Sequence, residues 1–175
     1  MKKVKFDNLT YVVLTWKDIL EDVKELGRKI KSSEKVDGIV GILRGGCIPA
    51  VLLSDFLNVK KVFAIGCKQY FGIYERKKLE VYQSIQHLEG NILIVDDVSD
   101  TGSTLNFVKK YVEEKTKGKI LTAALHVKPH SLFIPHFYVK IYDGWICYPW
   151  DKEEFKRNFI EKYGKETFSK IFKDF

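Results

Sequence analysis

The chain has 175 residues, about the length of one domain, since globular domains average roughly 150 residues. Hydrophobic residues make up 45% and charged residues 30%, which excludes disorder, collagen-like repeats and low-complexity tracts as main themes. The 30 Lys and Arg against 23 Asp and Glu give a net charge of +7. That charge fits an anionic partner such as nucleic acid, a membrane surface or a phosphorylated small molecule, and it equally fits a lysine-rich surface that only faces water.

The cysteines and histidines suggest neither a disulfide framework nor a zinc site. The 3 cysteines are far apart and each lies among apolar neighbours. His126 and His130 are four residues apart with a proline between them, which argues against a shared helix face. Reduced thiols predict a cytoplasmic protein. No apolar run approaches the length of a membrane span, and the stretch 11–14 is too short for a signal peptide.

The residue pattern in the first third of the chain predicts alternating helices and strands. Apolar residues recur at helical spacing over 16–31, and Thr15 with Asp18 resembles a capping box before them. The elements predicted next are a strand at 36–43, a glycine turn at 44–46, a helix at 48–57 and a strand at 62–67. A long exposed loop is predicted at 68–78, followed by an extended piece over 79–85.

The rest of the chain continues this alternation. Residues 91–96 are apolar up to their acidic end, as expected of a central parallel strand covered on both faces. A helix with Leu105, Val108 and Val112 on its buried side follows, then strands at 119–127 and 137–142. The tail 151–175 predicts one or two amphipathic helices that bury Phe155, Phe159, Phe168 and Phe172. The sequence therefore predicts an α/β fold with a mainly parallel sheet.

Residues 92–104, ILIVDDVSDTGST, are the most informative segment. A strand ends in Asp96 and Asp97, and a hydroxyl-rich loop with one glycine then opens a helix. The backbone N–H groups of that loop, with the Thr and Ser hydroxyls, can hold a phosphate monoester at the helix start. The two carboxylates cannot hold phosphate and suit ribose hydroxyls or hydrated Mg²⁺ instead.

Other phosphate-binding classes fit this segment less well. The chain contains neither a Walker string nor the glycine fingerprint of dinucleotide sites. In receiver modules an acidic pair follows the first strand, whereas this pair lies in the middle of the chain. A plain helix cap would explain Asp100 or Thr101 alone but not the whole string.

The 92–104 string closely resembles the signature of the type I phosphoribosyltransferases. The resemblance implies that Asp96 and Asp97 contact the ribose hydroxyls of phosphoribosyl pyrophosphate and, through water, Mg²⁺. It also implies that Asp100, Thr101, Gly102, Ser103 and Thr104 bind the 5′-phosphate, with Asp100 near the base as the candidate for proton transfer. The fold it implies has a small hood formed by terminal segments.

Two further segments match the same family. Leu43, Arg44, Gly45 and Gly46 resemble its pyrophosphate loop, which implies a non-proline cis peptide between Leu43 and Arg44. The stretch 68–78 occupies the position of its mobile catalytic loop, with Lys68 and Tyr70 available to cover pyrophosphate. Alone, each segment also reads as an ordinary glycine turn or a solvated loop.

The base-binding side resembles the 6-oxopurine branch, with its short bacterial and archaeal xanthine-guanine enzymes. By that resemblance Lys128 donates to the purine 6-oxygen, Trp145 stacks on the ring, Ile146 offers its backbone to the 2-substituent, and Asp151 belongs to the same purine-binding segment. A cationic donor favours an oxo over an amino group, and an aromatic face suits a planar base. A surface lysine and core tryptophans are the structural alternatives.

The resemblance implies a purine-salvage enzyme that uses Mg²⁺ and forms a homodimer or homotetramer, with no nucleic-acid or membrane partner. We expect one domain over 1–175, with a core at about 16–135 and a base-binding hood segment at about 136–175. Two alternatives stay open. One is a nucleotide-sensing regulator of the same fold that binds nucleic acid, and the other is an enzyme for adenine or a pyrimidine.

Overall fold

The computed structural model describes residues 1–70 and 78–173. Its strands are β1 (Lys2–Phe6), β2 (Leu9–Val13), β3 (Gly38–Leu43), β4 (Val62–Tyr70), β5 (Lys78–Gln83), β6 (Ile92–Ser99), β7 (Ile120–Val127), β8 (Phe137–Ile141) and β9 (Trp145–Cys147). Its helices are α1 (Trp16–Lys31), α2 (Cys47–Leu57), α3 (Ser103–Glu113), α4 (Lys152–Tyr163) and α5 (Lys165–Ile171). None of the helices in these ranges is both long and apolar enough to cross a membrane.

These elements form two units, a larger one over Glu21–Ile141 and a smaller one made of Met1–Leu20 and Tyr142–Phe175. The larger unit contains a six-stranded sheet in the order β5-β4-β3-β6-β7-β8. Every neighbouring pair is parallel except β4 with β5. The α/β fold with a mainly parallel sheet is therefore confirmed.

Aliphatic side chains fill the core of the larger unit. The strand β6 begins with four consecutive buried residues because neighbouring elements cover both faces of a central parallel strand. The helix α3 buries Leu105, Val108 and Val112, as its spacing predicts. The core cluster consists of Val40, Ile42, Ile65, Ile85, Leu88, Ile92, Ile94, Leu105, Val108 and Val112.

The smaller unit has a three-stranded sheet and an aromatic core. The strands β1 and β2 form an antiparallel hairpin, and β9 pairs with β2 in parallel. Four phenylalanines of the tail are buried in one cluster with Tyr11, and this confirms the predicted amphipathic helices. The clustered rings are Tyr11, Phe155, Phe159, Phe168 and Phe172. Both terminal segments contribute to this unit, as the resemblance implied.

Three strands of the smaller unit were not among the predicted elements. The hairpin had a local signal, since Phe6 pairs with Leu9 across a two-residue turn at Asp7 and Asn8. Both turn residues have positive φ, 50° and 59°, as a type I′ turn requires. The strand β9 has only 3 residues, and no periodicity can be read from so short a segment.

The predicted exposed loop at 68–78 is wrong at both of its ends. Lys68 and Tyr70, predicted to lie in a mobile loop, belong to β4, and Lys78 begins β5. The two strands pair antiparallel here, with Lys68 opposite Glu80. An antiparallel edge hairpin tolerates polar side chains because part of it faces water, and the polar sequence was therefore misread as a loop. The rest of the predicted loop, 71–77, lies outside the described residues.

Candidate functional site

Two adjacent carboxylates, Asp96 and Asp97, lie near the carboxyl end of β6, where ligands bind in open α/β sheets. The strand runs on to Ser99, so both acids are held by the sheet. The Asp97 amide donates to Asp96 Oδ1 at 3.0 Å, and the Val98 amide donates to Asp97 Oδ1 at 2.8 Å. Each carboxylate is thus tied to the backbone amide of the residue that follows it.

The electrostatics of this pair favour a cation or hydroxyl donors as ligand. Burial, and next the Asp97 charge, raise the pKa of Asp96 well above its usual range. A divalent cation relieves the repulsion between adjacent acids, and oxygen ligands are those that Mg²⁺ prefers. Sugar hydroxyls are the other fitting partners, because ionised carboxylates only accept hydrogen bonds.

The loop after β6 presents backbone amides and hydroxyls at the start of α3. Gly102 has φ of +79°, and a Cβ there would lie 2.5 Å from Phe133 Cβ, so the position requires glycine. Thr101 Oγ1 accepts a 3.3 Å hydrogen bond from the Ser103 amide and lies 2.9 Å from Ser103 Oγ. Thr101 and Ser103 are exposed, and α3 begins at Ser103. An anion binds readily at such a helix start.

The second glycine loop lies directly against the acidic strand end. The peptide between Leu43 and Arg44 is cis, as the resemblance implied. A Cβ on Gly45 would lie 1.9 Å from Asp97 Oδ2, and one on Gly46 would lie 2.4 Å from the Val95 carbonyl oxygen. The two loops meet because β3 and β6 are neighbouring parallel strands that end at the same edge. Segments about fifty residues apart in sequence thus form one surface.

The segment after β7 is hydrogen-bonded to the loop after β6. The Lys128 amide donates to the Ser99 carbonyl at 3.0 Å, and the Leu132 amide donates to the Thr101 carbonyl at 3.1 Å. Ser99 Oγ donates to the Phe133 carbonyl at 2.8 Å. Lys128 is buried at this strand end, within the same unit as the two loops.

His130 contacts the candidate site residue Asp100, and the sequence did not indicate this contact. Its Nε2 lies 3.0 Å from Asp100 Oδ1, and both side chains are 62% exposed. His126, four residues earlier, is buried and bonds to Asp22 instead, at 3.0 Å. A signal was available, since 100 and 130 each follow one of two adjacent parallel strands, β6 and β7.

The other predicted purine-binding residues lie in the smaller unit. Trp145 and Ile146 form part of β9, and Asp151 directly precedes α4. Trp145 is 53% exposed and Ile146 is buried, so Trp145 has ring surface available to a ligand. Trp150, by contrast, is stacked on Tyr148 with ring centroids 4.7 Å apart.

Comparison with known proteins gives one consistent family. Residues 13–155 match the family model described as phosphoribosyl transferase domain. A xanthine-guanine phosphoribosyltransferase of Idiomarina loihiensis is 30% identical over 142 residues, which cover 79% of this chain and 85% of that protein.

Solved structures agree with that family. The purine phosphoribosyltransferase of Pyrococcus horikoshii is 38% identical with a TM-score of 0.75, over 80% of this chain and 93% of that one. A Neisseria gonorrhoeae hypothetical protein with bound ppGpp is 27% identical with a TM-score of 0.73, over 90% of this chain and 97% of that one. These similarities span both units of the chain.

Proposed function

This chain belongs to the phosphoribosyl transferase domain family, and we propose that it transfers a 5-phosphoribosyl group from phosphoribosyl pyrophosphate to N9 of a 6-oxopurine. The products are a nucleoside 5′-monophosphate and pyrophosphate. The reaction is one of purine salvage, because it takes up a free base.

The observation that carries the proposal is the contact between the two loops of the larger unit. Gly45 lies against the Asp97 carboxylate, so a pyrophosphate group at the 43–46 loop would lie beside the acids that suit ribose hydroxyls. The 100–104 loop on the same sheet edge offers the helix start for a 5′-phosphate. A ribose with phosphate on one side and pyrophosphate on the other fits this order of groups.

The residues of the larger unit divide between the two ends of phosphoribosyl pyrophosphate. The proposed pyrophosphate ligands are Leu43, Arg44, Gly45 and Gly46, and the proposed ribose 5′-phosphate ligands are Asp96, Asp97, Asp100, Thr101, Gly102, Ser103 and Thr104. The cationic Arg44 side chain suits the charge that grows on the leaving pyrophosphate. Lys68, in β4, is exposed and remains a proposed further contact with pyrophosphate, together with Tyr70 of the same strand.

In the proposed step the bond from the anomeric carbon to pyrophosphate breaks and a bond from that carbon to N9 forms, through a transition state with oxocarbenium character. The purine proton passes to the Asp100 carboxylate, which lies at the exposed end of the loop. Positioned proton acceptors of this kind contribute roughly 10²–10⁴ in rate.

Asp96 and Asp97 fit Mg²⁺, because adjacent oxygen donors next to a polyphosphate loop form the donor set that this cation uses. They would hold it through water. When bound, it neutralises charge on the departing pyrophosphate.

The proposed base-binding residues differ in the part of the purine that each would contact. Lys128 supplies a donor to the 6-oxygen, whereas Trp145 stacks on the ring and Ile146 and Asp151 contribute from the same segment. A cationic donor cannot accept a hydrogen bond, so an amino group at position 6 is disfavoured.

The decisive assay mixes the purified protein with Mg²⁺, phosphoribosyl pyrophosphate and, in turn, guanine, xanthine, hypoxanthine, adenine and uracil. We expect nucleotide formation with oxopurines only, and loss of it with a chelator. Turnover of adenine or uracil alone would contradict the base assignment. No turnover with any base, despite binding of phosphoribosyl pyrophosphate, would favour the nucleotide-sensing regulator.

A matched pair of lysines tests the base contact. We expect Lys128→Ala to raise KM for the base more than KM for phosphoribosyl pyrophosphate. Lys119→Ala is the control, because Lys119 is exposed and directly precedes the first residue of β7. This variant should leave both KM values unchanged. An equal rise in both KM values for Lys128→Ala would contradict its role.

Three expectations go with this proposal. We propose a homodimer or homotetramer, which sedimentation at equilibrium would measure. A cytoplasmic location and a single functional domain over 1–175, with its core at about 16–135 and its base-binding segment at about 136–175, also stay predictions.

A further inference from the structure

We infer that His130 is a positioning residue for the proposed reaction: its ring fixes the orientation of the Asp100 carboxylate that takes the purine proton. The inference deepens the proposed function and rests on it. It assigns a role to a side chain that lies outside the family motifs described above.

The hydrogen bond itself has the geometry that this role needs. His130 Nε2 lies 3.0 Å from Asp100 Oδ1, within normal hydrogen-bond distance. The ring N–H donates to one carboxylate oxygen and leaves Oδ2 as the acceptor for a substrate proton. An exposed aspartate without such a bond would rotate among several rotamers, and only some of them would face the base.

A tight turn brings His130 to this position. The Ser131 amide donates to the Lys128 carbonyl at 3.0 Å, which closes a four-residue turn with Pro129 and His130 at its two central positions. Proline at the first central position fixes φ and so stiffens the turn.

The turn is also held against the loop that carries Asp100. Ser131 Oγ lies 3.0 Å from Ser99 Oγ, and the Lys128 amide donates to the Ser99 carbonyl. His130 therefore extends from the stiffened 128–131 turn, and Asp100 extends from a loop that is hydrogen-bonded to that turn. The same turn carries Lys128, so one short segment holds both the proposed 6-oxygen donor and the ring that orients Asp100.

The kinetic test compares His130→Ala with His130→Gln, whose amide keeps a donor. We expect His130→Ala to lower kcat by about 2- to 5-fold, the size of one exposed charged hydrogen bond, with both KM values changed by less than about 2-fold. His130→Gln should recover most of that loss. His87→Gln, at another exposed histidine, is the matched control and should leave kcat unchanged.

A double variant tests whether His130 acts through Asp100. Adding His130→Ala to Asp100→Ala should lower kcat no further, because the carboxylate to be positioned is gone. The same fold-loss in both backgrounds would overturn the inference. So would an unchanged kcat in His130→Ala, or a rise in KM alone.

A spectroscopic arm reports the contact without turnover. In an ¹⁵N-labelled protein, Asp100→Asn should move the ring nitrogen signals of His130 and leave those of His87 in place. Unmoved His130 signals would overturn the inference. An inactive wild-type protein would contradict both the proposed function and the role of His130. An active wild type with a fully active His130→Ala variant would contradict only the role of His130.

Discussion

The two units are built from different side chains and offer different chemistry. The larger unit has an aliphatic core, and its strand ends carry charged and hydroxyl groups close to glycine backbone. The smaller unit has an aromatic core and an exposed tryptophan at one strand. Phosphates and sugars need hydrogen bonds and charge, whereas a flat base needs ring surface.

In the proposed function, the larger unit binds the phosphoribosyl donor and contacts the purine 6-oxygen through Lys128, whereas the smaller unit supplies the aromatic ring that stacks on the base. Apart from Lys128, a variant at a proposed site residue of the larger unit should alter catalysis or the affinity for phosphoribosyl pyrophosphate. A variant at the exposed ring of the smaller unit should alter the affinity for the base alone. The kinetic predictions below test this division of roles, and the stability predictions test the contacts that hold each unit together.

The largest effect is expected at Asp100 in the larger unit. Asp100→Ala should lower kcat by about 10²–10⁴-fold, because the proposed proton acceptor is removed. Steady-state kinetics with the preferred oxopurine measures this. Asp143→Ala removes an exposed aspartate of the smaller unit and should have no effect on kcat. An equal loss of kcat in both variants would mean that the reaction depends on the overall charge of the protein and not on the position of Asp100.

The hydrogen-bonded cluster around the buried Asp22 should control the stability of the larger unit. Asp22 of α1 is buried, bonds to the buried His126 of β7 at 3.0 Å, and pairs with Lys140 of β8. Asp22→Asn should lower the free energy of unfolding by about 3–5 kcal/mol, since removing one member leaves buried polar groups uncompensated. Urea unfolding measures this free energy. Glu21→Gln is the control, because Glu21 is exposed on the same helix, and it should have almost no effect.

The stability that Asp22→Asn removes should depend on pH, and it should be smaller at acidic pH. Burial raises the pKa of Asp22, but the hydrogen bonds from His126 and Lys140 outweigh it and hold the pKa below 3.8. The ionised Asp22 therefore contributes stability above pH 3.8, and this contribution is lost as the pH falls through the lower native pKa. The difference between wild type and Asp22→Asn should narrow below pH 3.8, and a difference that widens there would contradict the prediction.

Local patterns were enough to predict the strand and loop at 92–104. An apolar run, two acids and a glycine loop all lie within thirteen residues, so their geometry follows from one strand-to-helix connection. The capping box also could be predicted, because Thr15 and Asp18 interact over a single turn.

Contacts between distant segments could not be predicted in this way. Asp22 meets His126 across 104 residues and Lys140 across 118, and no periodicity in the sequence pairs them. Among the described strands, β9 pairs with β2 alone, and β2 lies near the opposite end of the chain. The prediction of a loop at Lys68 and Tyr70 failed because edge pairing, not composition, decided the backbone.

Trp145→Ala should change base affinity without changing stability. Stacking of an aromatic side chain on a base is worth about 1–3 kcal/mol, so KM for the oxopurine should rise by about 5- to 160-fold while KM for phosphoribosyl pyrophosphate stays constant. Trp145→Phe keeps a ring and should lose much less. A larger effect on phosphoribosyl pyrophosphate than on the base would contradict the division between the units.

The smallest effect is expected at the start of α1, in the smaller unit. Thr15 Oγ1 accepts the Asp18 amide at 3.3 Å, and Asp18 Oδ2 accepts the Thr15 amide at 2.8 Å. Thr15→Ala should lower the free energy of unfolding by about 1 kcal/mol, because one orphan helix amide loses its acceptor. Thr15→Ser keeps the hydroxyl and should keep the stability. Neither variant should alter kcat, because the cap stabilises the helix and contacts no proposed ligand. A cap variant that loses activity at unchanged stability would show that the smaller unit contributes more to catalysis than its contact with the base.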